Sequence, residues 1–230
     1  PSGNFIITEF LPDVRHARLY NTIACAAALH IEEGRWLRDQ RYVSDYIRFW
    51  FSHEGEPRSY SNWLTHAIQS YSKATGDFTI AENMIDALVE NFRNWDNNNQ
   101  HRSGLFWSID DKDGGEHSIS GNGLRPTLNS YMYGDATAIA ALADRVGRAD
   151  VRDEFLEKAG RIKSLVQAKL WDPSAAFFKN KPLDSRDDEI DQWGFDSVSD
   201  ERNVREIYGF LPWKFKLPDS GYENAWYQLV

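Results

Sequence analysis

A repeated helix–turn–helix pattern is the feature of this sequence that most limits its possible folds. One copy occupies residues 61–96 and a second occupies residues 129–172, and each ends in a Trp-Asp pair. In both copies apolar residues recur at three- and four-residue spacings on either side of a glycine turn. The closing tryptophans, Trp95 and Trp171, are 76 positions apart (171 − 95). Because such helix pairs cannot bury an apolar face alone, they must stack on neighbouring pairs.

The rest of the chain extends the same pattern. Residues 11–51 predict one more helix pair, whose first helix runs from Val14, capped by Asp13, to about Glu33, and residues 221–230 predict the start of another. Alternating apolar residues are nearly absent, so the predicted class is all-α. Trp63, Trp95 and Trp171 are expected to be core residues.

Both an open solenoid and a closed toroid of hairpins fit this pattern. A solenoid joins its repeats by short, regular links. Here the segments 96–125 and 173–205 are about thirty residues each, and loops longer than ~15 residues are usually functional. The long segments favour the toroid.

Charge and composition exclude several partners. A net charge of −9 argues against nucleic acid and anionic membranes, which would repel the chain. No apolar run approaches the roughly 18 residues that span a bilayer. The single cysteine, Cys25, lies in an apolar run and is expected to be a small buried hydrophobe. The six histidines show no metal-ligand spacing, so neither a metal nor another cofactor is expected. These features assign the protein to no particular cellular compartment.

An acidic, glycine-rich loop leads directly into a patterned helix over residues 110–136. Up to Gly123, carboxylates lie among glycines, which disfavour helix and sheet. Pro126 suits a first helical turn, and apolar residues follow it at helical spacing. The loop therefore delivers carboxylates to the start of a helix, which is typical of an active-site edge. The alternative is a solvated acidic loop.

Aromatic residues crowd the long loops and the helix starts. Trp107 and Trp213 are flanked by loop residues, and we expect both to contact a ligand. Sugars stack their apolar faces on indole or phenol rings while carboxylates and amides bind their hydroxyls. The sequence therefore predicts a carbohydrate substrate.

The segment 129–179 resembles a hairpin of the six-hairpin, (α/α)6-barrel glycosidases, especially the group of the processing α-glucosidase I and its bacterial relatives. Residues 130–133 (SYMY) are similar to that group's S-Y-M/L-Y helix start. The Trp-Asp-Pro sequence at 171–173 and the Phe pair at 177–178 match the turn and the aromatic pair that close the hairpin.

Two further segments share this resemblance. Residues 206–215 are similar to the glycine, proline and aromatic stretch that leads into the next hairpin, and residues 35–39 (RWLRD) resemble an early sugar-binding segment. The resemblance covers most of the chain from about Arg35 and is most specific over residues 104–180.

The resemblance implies an (α/α)6 toroid, of which about three hairpins, half a barrel, are present. Residues 1–230 would form one partial catalytic domain whose partner is the remainder of its own barrel. The implied activity is inverting glycoside hydrolysis, which needs a protonated carboxyl and a carboxylate roughly 6.5–9.5 Å apart. The implied base lies in a missing C-terminal segment, so the fragment alone is expected to be inactive.

The resemblance also implies site residues. The family's general acid is an aspartate after a glycine-rich turn, and here Glu116 occupies that place after Gly114 and Gly115, with Asp113 as the alternative. The predicted substrate-binding residues are Trp107, Arg125, Asn129, Tyr131, Trp213, Arg38 and Asp39. The alternative function is a non-catalytic helical repeat module that binds glycans or proteins. Convergence of Glu116, Arg125, Tyr131 and Trp213 on one pocket would favour the enzyme.

Overall fold

The computed structural model describes residues 4–10, 19–189 and 204–229. Within these ranges the chain is all-α, as the sequence predicts, with five strands of two residues each. The helices are α1 (Ala24–Gly34), α2 (Arg41–Trp50), α3 (Leu64–Thr75), α4 (Thr79–Asn83), α5 (Ile85–Asn99), α6 (Pro126–Arg145), α7 (Ala149–Lys169) and α8 (Leu211–Lys214). The strands are β1 (Trp107–Ser108), β2 (Gly123–Leu124), β3 (Trp171–Asp172), β4 (Phe177–Phe178) and β5 (Lys181–Pro182).

Local sequence signals set most helix ends. Gly76 ends α3 with a left-handed φ of 75°, which glycine adopts without steric cost. Asp77 accepts a 2.9 Å hydrogen bond from the amide of Thr79 and so helps to start α4. Pro126 is the first residue of α6, as predicted. These positions confirm the predicted hairpin turn and helix start.

Three predicted helices differ from the structure. The first begins only at Ala24, because Tyr20 and Asn21 have φ values of 58° and 55° in the turn before it. Its predicted cap, Asp13, lies outside the described residues. The helix after Asp77 is broken at Met84, which separates α4 from α5. The helix predicted from residue 221 is a 3-10 helix, Glu223–Leu229.

The first helices of the three pairs pack side by side. Helix α1 contacts α3, and α3 contacts α6, while α2, α5 and α7 pack behind them. Of the three tryptophans expected in the core, Trp63 and Trp95 are buried, whereas Trp171 is half-buried in β3 rather than on a helix. The core runs between the two rows of helices and includes Ile31, Ile47, Leu64, Ile68, Leu88, Phe92, Leu142 and Phe155.

Short strands tie the two long loops together. Strands β1, β2 and β5 form an antiparallel sheet in which Trp107 pairs with Leu124 and Gly123 pairs with Pro182. Strands β3 and β4 form a separate hairpin after α7. The first sheet lies directly before α6 and so fixes the loop that precedes this helix. Among the described helices, none has the length and apolarity needed to cross a bilayer.

Candidate active site

The acidic loop enters α6 through strand β2. Gly123 has a φ of 155°, and a Cβ atom at this position would lie 2.1 Å from the carbonyl oxygen of Lys181. Any side chain here would therefore push β2 away from β5. The glycine lets the two strands approach, and the loop between β1 and β2 keeps its place above the start of α6.

Asp113 is enclosed by internal donors. Its side chain is fully buried, and Arg125 Nε lies 2.6 Å from its Oδ2 atom. The hydroxyl of Ser61 donates to Oδ1 at 2.5 Å, and the hydroxyl of Thr127 donates to Oδ2. In this arrangement both carboxylate oxygens are bonded to the protein, and neither is exposed to a substrate.

Arg125, which the sequence predicts as a substrate-binding residue, bonds to the loop instead. Its side chain is also fully buried. Nη1 lies 2.9 Å from Asp110 Oδ1 and donates to the carbonyl oxygen of Gly121 at 2.5 Å, while Nη2 donates to the carbonyl oxygen of Gly115 at 2.8 Å. The guanidinium thus joins both ends of the loop that carries Glu116. Its direct contact with a sugar stays a prediction.

Glu116 is an exposed carboxylate of this loop. It lines a cavity of about 580 Å³ at the N-terminal end of α1, a volume that suits a small ligand. The hydroxyl of Tyr60, on the segment before α3, donates a hydrogen bond to Glu116 Oε2. The same cavity is lined by Glu9, Phe10, Cys25, Ser59, Asp111 and Lys112. Aromatic and carboxylate groups therefore share one cavity wall.

Burial and the charges around the cavity raise the pKa values of two groups in its wall, the Cys25 thiol and the Tyr60 phenol. Burial, with the carboxylates of Glu116, Asp113 and Glu9, raises the pKa of the Cys25 thiol to about 11. Burial and the bond to Glu116 raise the pKa of Tyr60 well above its usual value. Both groups are therefore protonated at neutral pH. Cys25 is half-buried in the wall, so the prediction that it is a buried hydrophobe holds only in part.

Asn129 and Tyr131 support the loop from α6. Asn129 is fully buried; its Oδ1 atom accepts the amide of Phe106 at 2.8 Å, and its Nδ2 atom donates to the carbonyl oxygen of Phe106 at 2.9 Å. Tyr131 is buried against Trp63, with ring centroids 4.8 Å apart. Both side chains hold the backbone around the site, and their contact with a substrate stays a prediction.

The two tryptophans predicted to bind sugar lie away from Glu116. Trp107 is half-buried, and its Nε1 atom donates to the carbonyl oxygen of Leu183 at 3.0 Å. Trp213 is half-buried among aromatic rings, with its centroid 5.4 Å from that of Phe178 and 5.3 Å from that of Trp226. Neither residue lines the cavity beside Glu116. Both roles in sugar binding stay predictions.

Arg38 and Asp39 lie in the turn between α1 and α2. Arg38 is exposed, and Asp39 is paired with Arg41, whose Nη2 atom lies 2.6 Å from Asp39 Oδ2. The cavity is at the other end of α1, about 15 Å away by the rise of an eleven-residue helix. The structure brings Glu116, Asp113 and Arg125 together around one loop, and the turn with Arg38 and Asp39 lies at the other end of α1.

A second polar cluster joins α1, α3 and α8. Lys214 Nζ lies 2.8 Å from Glu32 Oε2, and the Trp63 indole donates to Oε1 at 3.1 Å. Burial alone would raise the pKa of Glu32, but the approach of His66 Nδ1 at 3.5 Å and the hydrogen bonds from Lys214 and Trp63 together lower it to about 2. No sequence pattern marks this cluster, because Glu32 and Lys214 are 182 positions apart.

Tyr60 and Glu9 are two further cavity residues that were not predicted from the sequence. Tyr60 could have been predicted from its position in the repeat. The segment before α3 corresponds to the acidic loop before α6, the first helix of the next hairpin. No comparable signal marks Glu9, whose place depends on contacts such as the 3.5 Å approach of His30 Nε2 to its Oε1 atom. Among the described residues, no three His, Cys, Asp or Glu side chains are grouped so that they could hold a metal ion.

Comparison with known proteins identifies the family of this chain. A solved structure named as a sialidase matches the chain with a TM-score of 0.84 and 35% sequence identity, over 96% of this chain and 20% of that chain. The chain thus spans about one-fifth of that protein. No curated protein matches it. A family model described as the mannosylglycerate hydrolase MGH1-like glycoside hydrolase domain matches residues 19–230. Since this match covers most of the chain, the protein belongs to the MGH1-like glycoside hydrolase domain family.

Proposed function

We propose that this domain supplies the proton donor of an inverting glycosidase that acts on an oligosaccharide or glycoconjugate, and that Glu116 is the donor. The observation that carries the proposal is the contrast between the two candidate acids. Asp113 is fully buried and paired with Arg125, whereas Glu116 is exposed on the wall of a cavity of about 580 Å³. A general acid must reach the oxygen that it protonates, which favours Glu116.

The proposed reaction needs one proton transfer from Glu116. Its carboxyl proton passes to the glycosidic oxygen as the bond from that oxygen to the anomeric carbon breaks, which leaves Glu116 as a carboxylate. A water molecule attacks the anomeric carbon from the opposite face and gives its proton to a second carboxylate. The family resemblance implies that this base lies near the C-terminal end of a six-hairpin ring, and we place it outside these 230 residues.

Three helix pairs would make half of such a ring. We propose that the remaining pairs complete the cavity wall and that these 230 residues alone are inactive. The packing of α1, α3 and α6 side by side supports this arrangement, because these would be inner helices of the ring. The closer resemblance to the processing α-glucosidase I group stays a prediction.

The test uses an active protein that includes these residues and two substrates with the same sugar. Glu116→Gln should slow hydrolysis of an alkyl glycoside by about 10²–10⁴-fold, because a poor leaving group needs the proton. Hydrolysis of the matching glycosyl fluoride should be nearly unchanged, since fluoride departs with little protonation.

Asp111→Asn is the matched control, because Asp111 is an exposed carboxylate that lines the same cavity. It should leave both rates close to those of the parent protein. Full activity of Glu116→Gln on the alkyl glycoside would contradict the proposal. That result would instead support a non-catalytic role for this domain.

A further inference from the structure

We propose that Tyr60 is a positioning residue for Glu116: its hydroxyl orients the carboxyl and stabilises the carboxylate that forms as the proton leaves. This inference rests on the proposed role of Glu116. Its starting observation is the hydrogen bond from the Tyr60 hydroxyl to Glu116 Oε2, which joins two residues that both line the cavity.

The backbone around Tyr60 is fixed to the loop that carries Glu116. The amide of Ser61 donates to the carbonyl oxygen of Lys112 at 2.9 Å, and the Ser61 hydroxyl donates to Asp113 Oδ1 at 2.5 Å. On the other side, Asn62 Nδ2 donates to the carbonyl oxygen of Tyr60 at 3.0 Å. The contact between Tyr60 and Glu116 therefore joins two segments that are already held together, and the phenol is pre-organised for it.

The Tyr60 hydroxyl remains a donor throughout the reaction. Burial first, and then the Glu116 carboxylate, raise the pKa of Tyr60 well above its usual value, so the phenol stays protonated. A hydrogen bond to an ionised acceptor is roughly twice as strong as one to a neutral acceptor. The bond thus strengthens as Glu116 loses its proton, which lowers the free energy of the transition state more than that of the bound substrate.

Other charged or titratable groups lie in the same cavity wall or behind the loop, and they are unchanged when Tyr60 is replaced. Glu9 comes from the N-terminal segment, and the Cys25 thiol comes from α1. Asp111 and Lys112 lie in the turn before Glu116, and the buried Asp113 is paired with Arg125 behind the loop. A change in the pH profile of activity after removal of one phenol oxygen therefore reports the loss of one hydrogen bond.

The test is the pH profile of kcat/KM for an alkyl glycoside, measured with an active protein that includes these residues. Its alkaline limb follows loss of the proton from the general acid. Without the phenol donor the carboxylate is less stable, so Tyr60→Phe should move this limb to higher pH by about one unit and slow the reaction about tenfold at the optimum. Hydrolysis of the matching glycosyl fluoride should change less than about twofold.

Tyr20→Phe is the matched control. The Tyr20 hydroxyl also donates to a carboxylate, Glu54 Oε1, at 3.3 Å, but Tyr20 does not line the cavity beside Glu116. This variant should keep the parent pH profile. Replacement of Tyr60 by 3,5-difluorotyrosine keeps the ring and makes the phenol a stronger donor, so it should move the alkaline limb to lower pH. This second variant tests the inference even if Tyr60→Phe does not fold.

The outcomes separate the inference from the proposed function. If Glu116→Gln slows the alkyl glycoside but the limb does not move in Tyr60→Phe or in the fluorinated protein, Tyr60 has no positioning role, while Glu116 remains the acid. If Glu116→Gln keeps full activity, the proposed function and this inference are both overturned. Opposite shifts in the two Tyr60 variants would support the inference.

Discussion

Nη2 of Arg125 donates a 2.8 Å hydrogen bond to the carbonyl oxygen of Gly115, the residue directly before Glu116. The same guanidinium pairs with Asp113 through Nε at 2.6 Å. Because Arg125 is fully buried, water does not compete for these bonds, and their electrostatic contribution is larger than on the surface. A buried ion pair thus determines the position of an exposed carboxylate.

Replacing Arg125 tests how strongly this pair supports the fold. Arg125→Met leaves the Asp113 carboxylate buried without its cation, so the free energy of unfolding should fall by about 3–5 kcal/mol. Urea unfolding at neutral pH measures the loss. Arg41→Met, which removes the partner of Asp39 on the surface, is the control and should change stability little. A negligible loss in Arg125→Met would show that the pair does not hold the loop.

Trp213→Ala distinguishes a packing role from a sugar-binding role. The indole is half-buried against Phe178, Phe210 and Trp226, so its removal should lower the free energy of unfolding by about 2–3 kcal/mol. Loss of a sugar contact alone would instead weaken binding by on the order of 1 kcal/mol. Thermal melting and substrate binding are measured together. An unchanged melting temperature with weaker binding would support the predicted sugar-binding role.

Trp36→Ala is the control for the loss of a tryptophan side chain. Trp36 has 70% of its surface exposed, and Trp36→Ala removes a side chain of the same size with little loss of packing. Its melting temperature should stay close to that of the parent protein.

Asp135 should make stability fall as pH rises. Burial raises the pKa of this carboxyl to about 7, although backbone donors at Thr65 and His66 oppose the change. The unfolded chain loses the proton near a pKa of about 3.9, whereas the folded chain keeps it until about pH 7, so the stabilisation present below pH 4 is lost across this interval. The loss should be up to about 4 kcal/mol.

Asp135→Asn isolates this contribution, because the amide can still accept the His66 amide hydrogen but does not titrate. Urea unfolding is measured at intervals between pH 4 and pH 7 for both proteins. Subtraction of the two curves removes the other titrating groups. If both proteins show the same slope, Asp135 is ionised in the fold and the predicted pKa direction is wrong.

Local backbone preferences made much of the fold predictable. Pro126 and Gly76 act through their own φ angles, so the start of α6 and the end of α3 could be assigned from sequence. The late start of α1 could not be assigned, because Tyr20 adopts a left-handed conformation that a bulky residue rarely favours. The break at Met84 likewise has no local sequence signal.

The site was less predictable than the fold. Glycines among carboxylates located the loop, since such a sequence disfavours regular structure. The burial of Arg125 and the packing of Trp213 depend on partners far along the chain, and a loop position gave no information about them. Tyr60 could be found only by comparing equivalent positions in successive hairpins.

The hydrogen bond between the amide of His66 and Asp135 Oδ1, at 2.9 Å, sets the first turn of α3 beside the middle of α6. Helix α6 therefore begins about 10 Å before α3, since nine residues separate Pro126 from Asp135 and two separate Leu64 from His66. The segment that carries Tyr60 lies directly before α3. It is joined to the first turn of α6 through Asp113, which accepts hydrogen bonds from both Ser61 and Thr127. The wall of the cavity is made by these connecting segments and by the start of α1, not by the sides of α3 or α6, so substitutions in the wall change its chemistry while the packing of the helices is kept.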